Sequence, residues 1–423
     1  MTATAKGASD HDAVIVGASL AGCTAAILLG RAGARVALIE KQPDPGAFKR
    51  ICSHLIQASG VPTLERLGLL EQIEAAGGIR PRMRVWTRWG WIEPPPGRGG
   101  EGVNLRRELL DPMIRASAAA TPGVELLPGR TVTRLLREGG EIAGVTVRDP
   151  DGSETELRAP LTVGADGRES TIAGLAGVRT KTRPHGRFVY AAYFEGAGNP
   201  SASTVWLLDP QFAAAFPTDG GLCLYVAMPT KERLPEFKPD PAAALVESLA
   251  AAPDPLPIRE LRQVGEVLGK IEMPNKVRVP VAPGLALVGD AGLTTDPLSG
   301  VGCGWALQSG EYLADSVAPA LLGDVPLERA LATYRRKRRP LVRHAYFIND
   351  LATGRRLNPG ERLLFAGGAR DEEVATQIDR LGMRLIEPQA IAAAVPRALV
   401  ANARHALGRG RGGAAVAPPP PGG

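Results

Sequence analysis

The residues of this chain with the types and spacing for chemistry are small and acidic residues in three separated segments. The first segment is Gly17-Ala-Ser19-Leu-Ala-Gly22, which is followed at some distance by Glu40. The second contains Asp166-Gly167, and the third contains Gly289-Asp290 and then Pro297-Leu-Ser-Gly300-Val301-Gly302. Glycine-rich turns let a backbone approach phosphates, and carboxylates accept hydrogen bonds from sugar hydroxyls. Together these segments predict a site for a dinucleotide cofactor.

The first segment has the pattern of a strand, a tight turn and a helix. The apolar run 13–16 predicts a strand, and the apolar stretch from Leu20 to Leu29 is long enough for a helix. Gly17 permits the turn, the helix start presents N–H groups to a pyrophosphate, and Gly22 lets the helix pack close to the strand. Ser19 replaces the middle glycine of the usual pattern, and a serine still allows fairly close approach of the backbone.

An acidic residue closes this unit at the expected distance. A second predicted strand, Arg35 to Ile39, ends at Glu40. A carboxylate at that point meets the ribose hydroxyls of an adenine dinucleotide. Because it disfavours a 2′-phosphate, Glu40 suits FAD or NAD better than NADP.

The three segments resemble those of the flavoprotein monooxygenases of the para-hydroxybenzoate hydroxylase type and of their relatives, the geranylgeranyl reductases. Those families carry a glycine-rich turn near the N-terminus, a central Asp-Gly and a late Gly-Asp, and all three occur here within residues 10–320. The resemblance implies FAD as the cofactor and NAD(P)H as the co-substrate. It also implies that Asp290 hydrogen-bonds the ribityl chain. The turn at Pro297, Gly300, Val301 and Gly302 would open a helix, Trp305 to Val317, whose positive end faces the flavin pyrimidine edge.

Four further residues are candidates for the site. Arg107 opens a predicted helix, Leu109 to Ala120, and the resemblance implies a contact with the ribityl or phosphate region; the alternative is a solvated arginine. Asp166 belongs to the central motif, and Arg50 is a candidate contact of the cofactor phosphate. His54 is the histidine best placed to act as an acid or a base, and the alternative is a structural histidine. No metal site is predicted, because no metal-ligand spacing occurs.

The sequence departs from the family pattern at positions that bear on the substrate. Leu293 stands where many aromatic hydroxylases have histidine, and Gly304 stands where they often have asparagine. Phe212-Ala-Ala-Ala-Phe216-Pro217 keeps only the Phe-Pro end of the reductases' YxWxFP signature. The fold prediction survives these changes, whereas the substrate stays open.

A tryptophan-rich segment suggests a third relative, the flavin-dependent halogenases. Trp89-Gly-Trp91-Ile-Glu-Pro94 is close to their WxWxIP signature, but Glu93 separates the Ile from the Pro. Those enzymes also need a lysine amine between the first and second flavin motifs, and no lysine lies between Lys49 and Lys181. Halogenation is therefore disfavoured.

Composition favours a cytoplasmic enzyme. The 423 residues can bury a substantial core, and the 44% hydrophobic content includes no run long enough to span a membrane, so membrane contact is not expected. Arginine bias together with 51 Gly and 37 Pro suggests a GC-rich bacterial genome. The four cysteines lie far apart without metal spacing, which predicts reduced thiols that serve packing.

The net charge of +6 does not by itself indicate a nucleic-acid partner. The one dense basic run, Arg335 to Arg339, lies in a predicted helical stretch and has no aromatic residues interleaved with it. A solvated helix face is favoured over a nucleic-acid site.

The motifs predict an α/β fold in which a Rossmann-like FAD-binding domain of the glutathione-reductase type carries an inserted, mostly antiparallel substrate domain. The FAD-binding domain is expected at 10–80, 104–180 and 277–345. The substrate domain is expected at 81–103 and 183–276, and strands such as Phe188–Phe194, Thr204–Leu208 and Leu222–Met228 would roof the flavin ring. C-terminal helices follow at 346–407. The Gly- and Pro-rich end, 408–423, has too little apolar content to fold and is predicted to be disordered.

The preferred interpretation is an FAD-dependent monooxygenase that hydroxylates or epoxidises an organic small molecule with NAD(P)H and O2. The alternative among enzymes is a flavin-dependent reductase or dehydrogenase of the geranylgeranyl reductase kind, acting on a C=C bond. From a different class, the chain could be a flavin-binding regulator without turnover. Incorporation of oxygen into a product separates the first interpretation from the other two.

Overall fold

The computed structural model describes residues 11–195, 202–253 and 258–411. In chain order its strands are β1 (Ala13–Val16), β2 (Val36–Glu40), β3 (Leu55–Ile56), β4 (Arg82–Thr87), β5 (Gly90–Ile92), β6 (Val103–Asn104), β7 (Val124–Pro128), β8 (Thr131–Glu138), β9 (Glu141–Arg148), β10 (Glu154–Arg158), β11 (Leu161–Gly164), β12 (Thr180–Arg183), β13 (Val189–Glu195), β14 (Ala202–Leu207), β15 (Phe212–Pro217), β16 (Leu222–Met228), β17 (Arg262–Lys270), β18 (Asn275–Arg278), β19 (Val281–Ala282), β20 (Leu285–Leu287) and β21 (Leu293–Thr294). Its helices are α1 (Leu20–Arg31), α2 (Val61–Leu67), α3 (Leu70–Ala75), α4 (Arg107–Ala119), α5 (Thr171–Leu175), α6 (Leu234–Phe237), α7 (Pro241–Ala250), α8 (Gly302–Leu321), α9 (Leu327–Lys337), α10 (Arg339–Leu351), α11 (Pro359–Gly368), α12 (Glu372–Gly382) and α13 (Val395–Arg411).

A six-stranded sheet with the order β19-β20-β11-β1-β2-β7 brings the three sequence segments together. Strands β20, β11, β1, β2 and β7 run parallel, and only β19 joins antiparallel at one edge. Because the carboxyl ends of parallel strands meet at one edge, Gly17, Glu40, Asp166 and Asp290 all lie at or just after the same edge. Open α/β sheets bind their ligands at that edge.

Helix α1 can be apolar on all its faces because each face packs against another part of the protein. It is buried from Leu20 to Gly30 and packs against α8 and α4 as well as against the sheet. Strand β1 is buried at each of its four positions. The strand, turn and helix predicted from the first segment are thus confirmed at the centre of the core.

A second, seven-stranded sheet has the order β17-β13-β16-β15-β14-β4-β5. The pairing of β14 with β4 is parallel, and the other pairings in this sheet are antiparallel. The predicted fold class, a parallel FAD-type sheet with an inserted, mostly antiparallel sheet and C-terminal helices, is confirmed. The domain boundaries themselves stay predictions.

Several elements differ in extent from the prediction. Helix α8 begins at Gly302 and not at Trp305, and α4 begins at Arg107 and not at Leu109, so both helix starts lie inside the motifs. Helix α13 continues to Arg411, into the segment predicted to be disordered, and the rest of that segment lies outside the described residues. Across the ranges that the structure describes, no helix is both long and apolar enough to cross a bilayer.

Candidate active site

Two glycines allow the close packing around the first turn. Gly17 has φ +107°, and a Cβ there would lie 2.5 Å from the carbonyl oxygen of Ala165. A Cβ on Gly22 would collide with the carbonyl oxygen of Gly17. A side chain at either position would therefore push apart β1, α1 and the loop after β11.

The start of α1 is open to an anion. Ser19 is the N-cap residue, but its side chain makes no capping hydrogen bond; its hydroxyl instead accepts from Arg107 Nη2 at 2.8 Å. The first N–H groups of a helix need partners from outside the helix, and they carry the positive end of its dipole. This helix start therefore fits a pyrophosphate.

Glu40 stands beside that turn at the end of β2. Its carboxylate accepts hydrogen bonds from the backbone N–H of Ala18 and of Gln42, each at 2.9 Å. These two bonds fix its direction next to the Gly17 turn and leave lone pairs on both oxygens. The position fits the predicted contact with ribose hydroxyls.

Arg107 is buried, which excludes the solvated alternative. It is only 3% exposed, and its guanidinium donates to Asp111 Oδ1 from Nε at 2.8 Å and from Nη2 at 2.6 Å. Asp111, 1% exposed, also accepts from the backbone N–H of Lys49 at 2.9 Å. The pair thus ties α4 to the start of α1 and to the loop after β2.

Asp290 lies in a short 3-10 turn, Gly289–Ala291, directly after β20. Its Oδ2 is 3.2 Å from Lys49 Nζ, and the two side chains are 20% and 52% exposed. Burial opposes ionisation of Asp290, but the charges of Lys49 and Arg168 outweigh it and lower the pKa of this carboxyl. Asp290 is therefore an ionised acceptor at the carboxyl edge of the sheet.

The late glycine turn positions a second open helix start. Gly300 has φ +61° and ends the 3-10 turn Pro297–Ser299, and α8 then begins at Gly302 after the N-cap residue Val301. No side chain caps α8, and a Cβ built on Gly302 meets no atom within 4 Å. The positive end of α8 is therefore uncapped and unobstructed at Gly302, which fits a bound flavin.

Two predicted site residues have other partners. Asp166 caps α5, since its Oδ1 accepts from Ser170 Oγ at 2.5 Å and its Oδ2 from the backbone N–H of Ile172 at 3.0 Å. Arg50 pairs with Glu266 of β17 at 2.8 Å, and both side chains are largely exposed. The structure does not bring these two side chains into the cluster around Arg107 and Asp290.

His54 connects the start of α4 to the seven-stranded sheet. Its Nδ1 accepts the backbone N–H of Arg107 at 3.0 Å, so the remaining proton of the neutral ring lies on Nε2, which contacts the hydroxyl of Tyr193 from β13. Burial lowers the pKa of His54 and raises that of Tyr193, so both groups are neutral. His54 also has φ +62°, a conformation that a non-glycine residue adopts only where its surroundings hold it.

The inner face of the seven-stranded sheet is apolar. Alternate residues of β13, β15 and β16 point to the flavin-domain side, where they form one buried cluster with Leu55 and Leu298. Its members include Val189, Ala191, Ala214, Phe216, Leu224 and Val226. Ala214 occupies the position where the reductase signature has tryptophan, so this face has more room than that signature implies. Tyr193 packs against the same cluster and adds a hydroxyl group to this apolar face.

Arg384 is a residue of this region that sequence reasoning missed. It follows α12, and its guanidinium donates to Gln57 Oε1 at 2.5 Å and to Gln308 Oε1 at 2.9 Å. Its burial lowers its pKa to about 9. A Cβ on Gly304 would collide with Arg384 Nη2. Gly304, which replaces the family's asparagine, thus leaves space for the guanidinium of Arg384. The local sequence around either residue could not have predicted this contact.

These residues fit FAD. Two uncapped helix starts, the close-packed Gly17 turn and carboxylates at Glu40 and Asp290 offer partners for a pyrophosphate, a ribose and a ribityl chain. Within the residues that the structure describes, no cluster of three or more His, Cys, Asp or Glu side chains could bind a metal ion.

Comparison with known proteins agrees with this geometry. The family of FAD binding domains matches residues 10–346. Digeranylgeranylglycerophospholipid reductase 1 from Methanothermobacter thermautotrophicus is 30% identical over 357 residues, which are 78% of this chain and 82% of the relative. Squalene epoxidase 3 from Arabidopsis thaliana is 28% identical over 368 residues, 83% of this chain and 68% of the relative. The predicted resemblance to flavoprotein monooxygenases and geranylgeranyl reductases is confirmed.

The fold is also similar to that of a solved halogenase. The structure of the flavin-dependent brominase Bmp2 has a TM-score of 0.75 at 20% identity and covers 95% of this chain and 99% of the brominase. A likeness at this identity shows a shared fold and leaves the reaction undefined.

Proposed function

The chain belongs to the family of FAD binding domains and is an FAD-dependent oxidoreductase, and on that premise we propose that it is a monooxygenase that hydroxylates or epoxidises an apolar organic molecule. The observation that carries the substrate class is the inner face of the seven-stranded sheet, which is built from aliphatic and aromatic side chains and closes over Leu55 and Leu298. An apolar ligand loses little by leaving water for such a face, whereas an ionic ligand finds no partner on these side chains.

When bound, FAD would take electrons from NAD(P)H and use them to activate dioxygen. The chain would hold FAD through the starts of α1 and α8, Glu40 and Asp290, as their geometry allows. The apolar roof would exclude water from the reacting atoms.

Tyr193 would donate a proton to the substrate, and His54 would orient its hydroxyl. His54 keeps its Nδ1 on the backbone N–H of Arg107, which leaves its Nε2–H for the hydroxyl of Tyr193. The hydroxyl proton of Tyr193 is then free to point away from His54, towards a substrate oxygen. A neutral phenol can donate that proton, and the raised pKa of Tyr193 keeps it protonated at neutral pH.

A second function, reduction of a C=C bond, is favoured by one specific observation. The archaeal reductase matches this chain at 30% identity over most of its length. Such a reaction would use the same cofactor site and the same apolar face of the seven-stranded sheet.

Labelled dioxygen separates the two functions directly. The flavin-loaded protein is incubated with NADH or NADPH and a panel of unsaturated hydrocarbons and prenyl lipids, once under labelled dioxygen and once without oxygen. The proposal predicts a product that carries one labelled oxygen atom and no turnover without oxygen. A product that gains two hydrogen atoms under anaerobic conditions would establish the reductase instead. Oxidation of NAD(P)H with no product from any compound would favour a flavin-binding regulator.

A further inference from the structure

Two cysteines that are 251 residues apart in sequence meet in the candidate site. The Sγ atoms of Cys52 and Cys303 lie 3.5 Å apart. Cys52 is half-buried in the loop between β2 and β3, and Cys303 is buried in the first turn of α8. The sequence predicted reduced thiols that serve packing; all four cysteines are free thiols here, and the contact between these two could not be predicted.

The surroundings of the pair favour a thiolate on Cys52. Its Sγ accepts from the backbone N–H of His54 at 3.3 Å, and Arg107 Nη1 lies 3.9 Å from it and 3.7 Å from Cys303 Sγ. The hydrogen bond from Cys303 is the largest influence on Cys52, and with the charges of Arg107 and Lys49 it overcomes burial and holds the pKa of Cys52 well below its usual value. That hydrogen bond and burial raise the pKa of Cys303.

This asymmetry is the arrangement that an oxidation-sensitive pair needs. The thiolate is the form that attacks oxidants, and a second thiol in contact with it can resolve the product. The other two cysteines lack both features. Cys23 and Cys223 are buried, and burial raises the pKa of each thiol.

We propose that Cys52 is a site of oxidation by hydrogen peroxide and that Cys303 resolves it as an intramolecular disulfide. In the first step the sulfur of Cys52 attacks one peroxide oxygen, the O–O bond breaks, and a sulfenic acid and hydroxide form. In the second step the sulfur of Cys303 attacks the sulfur of Cys52, the S–O bond breaks, and water leaves with the proton of Cys303. The two sulfurs together lose two electrons, and the peroxide is reduced to one hydroxide ion, which takes a proton from solvent, and one molecule of water.

Closing this bond changes the neighbourhood of α8. The two sulfurs must approach from 3.5 Å to the disulfide bond length of about 2.05 Å. The loop that carries Cys52 is then tied covalently to the first turn of α8, and Arg107 loses the thiolate charge beside it. The oxidised pair therefore lies at the helix start that the proposed function assigns to the flavin, but its formation requires no turnover.

The test measures thiols and not activity. Purified flavin-loaded protein is reduced, freed of reductant and treated with a graded series of hydrogen peroxide concentrations. Free thiols are then alkylated in denaturant, and peptides are identified by mass without reduction. The expected result is a cross-linked pair of peptides that contain Cys52 and Cys303, with Cys23 and Cys223 still alkylated. Absence of the cross-link, or equal oxidation of all four cysteines, overturns the proposal.

Two single substitutions separate the roles of the sulfurs. In Cys303→Ser, Cys52 should remain as a sulfenic acid that a cyclic 1,3-diketone traps, and in Cys52→Ser, Cys303 should stay reduced. Cys223→Ser is the matched control and should form the disulfide as the parent does. Trapping at Cys303 and not at Cys52 would contradict the assignment. The measurement on the parent protein needs no substitution, so it decides the proposal even where a variant folds poorly.

Discussion

Replacing Asp290 with alanine should weaken FAD binding by about ten- to a hundredfold. A hydrogen bond to a charged group contributes roughly 1.5–3 kcal/mol, and about 1.4 kcal/mol corresponds to a tenfold change in Kd. The effect on the apo-protein should be much smaller. Among the described residues the ion-pair partner of Asp290 is Lys49, at 3.2 Å, and both side chains are partly exposed, so the pair should contribute roughly 0–1 kcal/mol to folding.

The assay is a titration of the apo-protein with FAD, followed by the quenching of flavin fluorescence, together with urea unfolding of the same samples. Asp315→Ala is the matched control, because Asp315 of α8 also forms ion pairs, with Arg66 at 2.8 Å and Lys337 at 3.4 Å. Its Kd for FAD should equal that of the parent. Unchanged affinity in Asp290→Ala, or an equal loss in Asp315→Ala, would refute the placement of the third motif at the ribityl chain.

Three further predictions test the buried groups. Tyr193→Phe should lower kcat by roughly a hundredfold or more if its hydroxyl donates a proton to the substrate. Tyr190 lies on the opposite face of the same strand, so Tyr190→Phe should change kcat little. Equal rates in the two variants would contradict proton donation by Tyr193. Arg107→Ala leaves buried Asp111 without its counter-charge and should lower the free energy of urea unfolding by about 3–5 kcal/mol. The double variant Arg107→Ala/Asp111→Ala should lose less free energy than the two single variants together, and simple additivity would contradict the pairing. Burial lowers the pKa of His344 from 6.5 to about 4. As pH drops from 6.5 towards 4 the unfolded chain therefore takes up a proton before the folded chain does, and the free energy of unfolding should fall by at most about 3 kcal/mol. His344→Gln should show a shallower decline, and an unchanged slope would show that His344 is not the cause.

The sequence predicted those parts of the site that depend on local pattern. The strand before Gly17, the acid at the end of β2 and the turn before α8 each follow from residues within a few positions of one another. Arg384 and the Cys52–Cys303 contact could not be predicted, because they depend on how distant segments pack. Arg384 meets Gln57 across 327 positions, and its role is visible only once Gly304 is seen to leave space for it.

The direction of the Arg50 side chain could not be predicted from the sequence. Its position after the ribose acid favoured a cofactor contact, yet its guanidinium is directed at Glu266 of β17. The sequence shows that Arg50 lies near the motif, whereas the direction of its side chain depends on the seven-stranded sheet that supplies Glu266. His54 is intermediate, since the sequence singled it out as the candidate acid or base but did not predict its contact with Tyr193.

The strand order of the central sheet has a consequence for how the chain is made. Strand β1 lies between β2 and β11, and β11 pairs on its other side with β20, so Ala13 has Leu161 as its neighbour and Thr162 has Leu285. During synthesis the first βαβ unit leaves the ribosome long before its partner strands. Strand β1 has an open edge until β11 emerges, and β11 then has an open edge until β20 emerges. Pairings between such distant segments form slowly, and the exposed edges are prone to aggregation in the meantime. The nascent chain therefore gains a complete flavin-binding edge only after the segment around residue 302 has emerged, and it depends until then on whatever shields the open edge of the sheet, first at β1 and then at β11.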